Sequence, residues 1–143
     1  MHVLKLKQGD KVIKWGLWAQ REFAKRKGMA NALDFFSLFA STEDPNAEDV
    51  VAEKARAEKE TAGRMMDLIP ELFLMGAEYA AIKKGIEFKD TIIDACEWVD
   101  ELGGISDNSP CLAAFHYIMA GYQLDLSEQN SFANSDIEKK TES

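Results

Sequence analysis

The stretch Val3-Leu4-Lys5-Leu6-Lys7-Gln8-Gly9-Asp10-Lys11-Val12-Ile13-Lys14-Trp15, continued by Gly16-Leu17-Trp18-Ala19-Gln20-Arg21-Glu22-Phe23-Ala24-Lys25-Arg26-Lys27-Gly28, changes its hydrophobic period midway. Before Trp15, apolar and polar residues alternate, the period of a half-buried antiparallel pair, and Gln8-Gly9-Asp10 supplies the turn. Leu4 and Leu6 then share a face with Ile13 and Trp15, while Lys5 and Lys7 point the other way. From Trp15 the period becomes four, through Ala19 and Phe23, as in a helix that buries one stripe. Gly28 ends that helix, and Lys25-Arg26-Lys27 sit where the helix dipole favours cations. The chain therefore opens with a short hairpin feeding a short, aromatic, basic helix. A two-stranded hairpin alone is marginal in water, so it must pack on the remaining chain or pair with another.

Everything downstream reads as helix, giving a mainly α fold: an N-terminal hairpin over residues 1–15 followed by a bundle of about five to six helices. Asn31 caps a helix to about Ala40 that holds Leu33, Phe35, Phe36, Leu38 and Phe39, more large side chains than one stripe can bury. After a polar loop from Ser41 to Asn46, a helix opens at Asn46, and its first half, Ala47 to Ala62, is Ala, Glu, Lys and Arg. That half is expected to be a solvated extension. Met65, Leu68, Leu72, Met75 and Tyr79 then recur at core spacing, with Pro70 expected to kink the segment or start a new helix. Gly85 stops it. Asp90 or Thr91 caps a helix to Leu102 whose expected buried stripe is Ile92, Cys96 and Val99. Ser109 with Pro110 opens a last helix presenting Leu112, Phe115, Met119, Tyr122 and Leu126. Residues 1–126 thus form one helical domain, and the polar tail 127–143 is expected to be disordered.

The 143 residues carry a formal charge of -8, unevenly spread. Residues 1–28 hold eight Lys and Arg against two acids, net +6, and the rest nine against twenty-three, net -14. A surface that acidic repels nucleic acid, so the cluster Lys25-Arg26-Lys27 near Trp15 and Trp18 does not by itself mark a nucleic-acid site. A second helix of large apolar residues also lacks donors for base edges. The longest apolar run, Leu68 to Ile82, is broken by Pro70, Glu71 and Glu78, and no unbroken leader-like segment stands at the N-terminus, so a soluble, cytoplasmic chain without membrane contact is expected. Cys96 and Cys111 have no Cys-x-x-Cys partner and read as buried free thiols.

Bond-making chemistry finds few candidates. Asp94, Glu97, Asp100 and Glu101 lack a second cluster at ligand spacing and read as a solvated helix face rather than a metal site. His116 and His2 supply neither a zinc set nor a nucleophile and base pair. No phosphate loop is visible. A non-enzymatic binding protein without cofactor or metal is the expectation, and Met65, Met66, Met75 and Met119 are mostly core by their spacing.

Three blocks, Lys14-Trp15-Gly16-Leu17-Trp18-Ala19-Gln20-Arg21-Glu22-Phe23 before Lys27-Gly28, Leu72-Phe73-Leu74-Met75-Gly76-Ala77-Glu78-Tyr79-Ala80, and Asp94-Ala95-Cys96-Glu97-Trp98-Val99-Asp100-Glu101-Leu102, occur in an order that resembles the tail assembly chaperones of long-tailed bacteriophages. The resemblance covers about residues 3 to 104. It does not extend to the Glu- and Lys-rich segment Ala47 to Ala62 or to the helix Leu112 to Leu126. It implies a chaperone that coats apolar helices of the tape measure protein, keeps it soluble in the host cell cytoplasm for tail-tube assembly, and is absent from the mature virion. The tail tube protein and a homo-oligomer of this chain are further candidate partners. Family members are often made in two lengths by frameshifting, for which Glu138-Lys139-Lys140 marks a candidate slippery site. The expected contact residues are Phe35, Phe36, Phe39, Met75 and Tyr79, with Trp15 and Trp18 as a second candidate set. A competing reading is a structural virion component or small helical adaptor joined through hairpin pairing at an exposed Val3 to Lys7 edge.

Overall fold

The computed structural model describes residues 1–40 and 42–122, with Phe39 by its backbone alone. Strands β1 (His2–Leu4) and β2 (Lys11–Ile13) lead to α1 (Leu17–Arg26), a 3₁₀ helix (Ala32–Phe39), α2 (Val50–Lys84), α3 (Ile92–Glu101) and a last helix, α4, over 110–122. The fold is mainly helical with an N-terminal hairpin, as the hydrophobic periods indicate. The strands pair antiparallel with His2 opposite Ile13, Val3 opposite Val12 and Leu4 opposite Lys11. Leu4 and Ile13 point into the core together. The turn between them is closed by the Gly9 N–H donating to the Leu6 carbonyl at 3.2 Å and by a Lys5–Asp10 ion pair at 2.9 Å.

Helix α2 is the spine on which the rest is laid. β2 meets it where the Lys14 N–H donates to the Gly76 carbonyl at 3.0 Å. Gly76 permits that approach, because a Cβ there would stand 3.0 Å from Ile13 Cβ and 3.4 Å from the Lys14 carbonyl oxygen. A single core gathers Leu4, Ile13, Trp15, Phe23, Phe35, Ile69, Leu72, Phe73, Trp98, Ile118 and Tyr122. Trp15, Phe23, Phe35 and Tyr122 form an aromatic centre, in which the Phe35 and Tyr122 rings stack at 4.3 Å and 5°. Gly121 lets α4 close on this centre, since a Cβ at that position would lie 3.0 Å from Trp15 Cδ1.

Capping follows the sequence at most boundaries. Thr91 and Asp94 close a reciprocal capping box on α3, and Ser109 Oγ accepts the Leu112 N–H at 3.0 Å at the head of α4. Gly28, at φ +72°, ends α1 where the sequence places the stop. The segment 32–39 is 3₁₀ rather than α-helical, although Asn31 caps it and forms a box with Asp34. The tighter three-residue turn sends Phe35 inward while leaving Leu33 at the surface.

Four expectations are corrected. Pro70 begins no new helix, because α2 runs unbroken from Val50 to Lys84; the cost of a proline in a helix interior, about 3 kcal/mol, is offset by the burial of Leu68, Ile69, Leu72 and Phe73 around it. That helix starts at Val50 under an Asp49 cap and not at Asn46, whose N–H is turned to Asp44 Oδ1 at 2.9 Å. The buried side of α3 is Ala95, Trp98 and Leu102, about one residue's rotation from the expected stripe, because Trp98 and Leu102 bury more apolar area than Cys96. Cys96 is consequently exposed, and only Cys111 is a buried thiol. Leu126 and the tail 127–143, with Glu138-Lys139-Lys140, lie outside the described residues.

The first half of α2 is largely solvated, yet it is latched to the loop before it. Arg56 reaches Glu53, Glu60 at 2.8 Å and the Thr42 carbonyl at 2.8 Å, and Arg64 donates to the Leu38 and Ala40 carbonyls at 3.0 and 3.3 Å. The Asp44 N–H also donates to Glu53 at 3.0 Å.

Candidate functional site

Gly16 joins β2 to α1 with its Cα facing the Tyr79 ring, where an added Cβ would meet Tyr79 Cε2 at 3.8 Å. This junction sets Trp18, in the first turn of α1, against Tyr79 of α2, with ring centroids 5.0 Å apart and tilted 38°. Lys14 Nζ stands 5.3 Å from the centre of the Tyr79 ring, within cation–π range. Leu17 is 63% exposed, Trp18 36%, and Ile82, one turn beyond Tyr79 on α2, 53%. The result is an apolar surface of two aromatic rings with an aliphatic residue on each helix, bordered by cations.

The acids nearest this surface are already engaged. Arg26 holds both Glu22 at 3.1 Å and Glu78 at 2.7 Å, and the hydrogen bond to Glu78 raises the guanidinium pKa further. Lys27 pairs with Glu71 at 2.5 Å. Two of the three cations in the Lys25-Arg26-Lys27 cluster thus bind α1 to α2, a structural role that weighs against a phosphate-binding stripe. Glu71 and Glu78 lie seven residues apart inside an apolar run, and that spacing is the sequence signal for a facing basic helix.

The structure divides the seven expected contact residues. Trp18 and Tyr79 are brought together at the surface. Phe36 is half-buried at the edge of the core, edge-on to Tyr122 at 5.4 Å. Trp15, Phe35 and Met75 are buried in the core and are not available to a docking partner, which corrects their assignment to the contact surface. The burial of Trp15 and Phe35 follows from α4 closing on them through Gly121 and Tyr122, a long-range contact that local spacing does not reveal. The Phe39 side chain lies outside the described residues. Leu17 and Ile82 were missed because a lone aliphatic residue at the edge of a helical stripe reads as core.

Other possible sites carry less. Among the described residues no group of three or more His, Cys, Asp and Glu side chains is placed to hold a metal ion. No helix of the described residues is long and apolar enough to cross a membrane. His2 stacks on Tyr117 at 5.4 Å, and burial lowers its pKa, while His116 lies exposed on α4. A cleft between the hairpin turn and α3 brings Lys11 over Trp98 at 5.7 Å and pairs it with Asp90 at 2.8 Å, and the Lys7 N–H donates to Glu101. These contacts fasten the hairpin to α3. Comparison with models of protein families, with curated proteins and with solved structures finds no match to this chain.

Proposed function

We propose that this chain is a non-enzymatic assembly chaperone that covers apolar helices of a long helical partner, and that the partner is the tape measure protein of the phage-tail chaperones it resembles. The observation that carries the reading is exposed Trp18 tilted against half-buried Tyr79, with exposed Leu17 and Ile82 next along their helices, an apolar surface on an otherwise acidic chain. Aromatic anchors flanked by aliphatic side chains suit the apolar stripe of an amphipathic helix, which contributes residues at three- and four-residue steps. The acidic remainder, net -14 beyond residue 28, would keep the complex in solution by repulsion between complexes. On this reading the chain works in the host cytoplasm and is left out of the finished virion.

Co-expression with the long, helix-rich protein encoded downstream tests the proposal. The partner is expected to become soluble and to co-purify with this chain, and Trp18→Asp to weaken capture by about thirtyfold or more, the scale of a lost aromatic hot spot. A partner that stays insoluble and unbound beside the intact chain would overturn the reading. The competing assignment, a structural component joined through its hairpin, draws on Val3, which is exposed on a strand that pairs only with β2 among the described residues. Purified particles decide between them, since a structural component is retained there and a chaperone is not.

A further inference from the structure

The surface around Trp18 and Tyr79 does not end at its apolar residues. Leu17, Arg21 and Lys25 recur at four-residue steps and form one exposed line along α1, from the aromatic pair toward the helix end. Arg21 and Lys25 then line an open cleft with Met29, Ala30 and Asn31, where the chain turns from α1 into the 3₁₀ helix. The cleft holds about 530 Å³, room for whole side chains rather than single waters. Neither cation makes an ion pair among the described residues, whereas Arg26 and Lys27 close by are taken up by Glu22, Glu78 and Glu71. On the α2 side, Lys83 follows Tyr79 by one turn, exposed and also without an ion pair among the described residues, and Lys14 lies over the Tyr79 ring. The apolar surface is therefore bounded by unneutralised cations on both helices, while the acids nearest it are already neutralised.

On the reading that this surface covers a partner's helix, we propose that the helix it takes is acidic along its flank. Its apolar stripe rests on Leu17, Trp18, Tyr79 and Ile82, and its carboxylates, one and two turns away, lie over Arg21 and Lys25. A lysine or arginine of the partner in those places would stand beside like charges and lose affinity. The rest of the chain is net -14 beyond residue 28, so an acidic helix is repelled from the other faces and directed to this one. Ion pairs closed into the cleft under a bound helix are screened less than pairs in open solvent. The aromatic residues thus supply the attraction, and the charges supply register and the choice of partner.

Two synthetic amphipathic helices of about eighteen residues, long enough to hold helical structure, test this against the full chain by fluorescence anisotropy. Both carry the same leucine stripe, flanked in one by Glu and in the other by Gln. The Glu helix should bind about tenfold more tightly, although the chain's net charge of -8 opposes it. R21Q/K25Q should level the two affinities and R21E/K25E should reverse their order, with the native circular dichroism spectrum kept in both. Trp18→Ala should weaken both helices by about tenfold or more, which places them on this surface. Equal binding by the wild type, a preference for the Gln helix, or a Glu preference that survives R21Q/K25Q overturns the inference and leaves the covering of helices standing. If neither helix binds, or if binding is indifferent to Trp18, the helix-covering reading fails together with this one.

Discussion

Phe35 shows how much a single side chain holds in this fold. It is fully buried, stacked on Tyr122 and edge-on to Phe23 at 5.8 Å, so it ties the 3₁₀ helix, α1 and α4 together. Phe35→Ala is expected to cost about 3–5 kcal/mol in urea unfolding, and a change below 1 kcal/mol would show that the aromatic centre repacks. Gly76→Ala tests the approach of β2 to α2. With Ile13 Cβ and the Lys14 carbonyl in the way, it should destabilise by about 1–3 kcal/mol instead of giving the usual gain of alanine in a helix. The cysteines make a third test. Cys96 is exposed, whereas burial pushes the Cys111 thiol up to about 11, so one thiol should react rapidly with an aromatic disulfide reagent under native conditions and the second only on unfolding. Two fast thiols would mean that α4 opens readily. The exposed position of Cys96 was not legible from its apolar neighbours, since Trp98 and Leu102, larger and one face round, decide which side of α3 is buried.

At the scale of elements, the clearest device is the latch between the loop at Thr42–Asp44 and the first half of α2. The Arg56 hydrogen bond, followed by that from the Asp44 N–H, lowers the Glu53 carboxyl from 4.5 to about 2. Hydrogen bonds from Thr42 and then Arg56 lower Glu60 as well. A carboxylate whose pKa is depressed in the folded chain contributes fully above its unfolded value and loses that contribution as pH falls toward the folded one. The latch should therefore hold above about pH 4.5 and release between there and about pH 2. Amide exchange at Asp44, corrected for intrinsic rates, should show that release, Arg56→Ala should move it to higher pH, and Glu53→Gln should abolish its pH dependence; flat protection in the wild type would mean that other contacts hold the loop. The alanine-rich composition of this half correctly indicated a solvated helix. It did not indicate the latch, because Arg56 and Arg64 bond to loop carbonyls, which no side-chain pattern announces.

For the whole molecule, the charge asymmetry seen along the sequence becomes a division of labour in space. Arg26 and Lys27 are spent on α2, Lys14 lies over Tyr79, and Arg21 and Lys25 remain on the outer face of α1. Trp18 leans toward Tyr79 at the border of that face.

Local pattern in the chain is enough for the hairpin, the order of the helices and most of their caps, but not for their number, which it leaves at five to six. Those features depend on period two against period four, on Gly28, Thr91 and Ser109, and on contacts within a few residues. Long-range packing settles that α2 passes through Pro70 without a break, that Phe35 is the side chain of its segment that faces inward, and that Trp18 meets Tyr79 at the surface. Each of these depends on which distant element covers a helix face. A helix apolar nearly all round gives no sign of its inner side until α4 closes over it, and the energy that settles the choice is the apolar area the closed core removes from water.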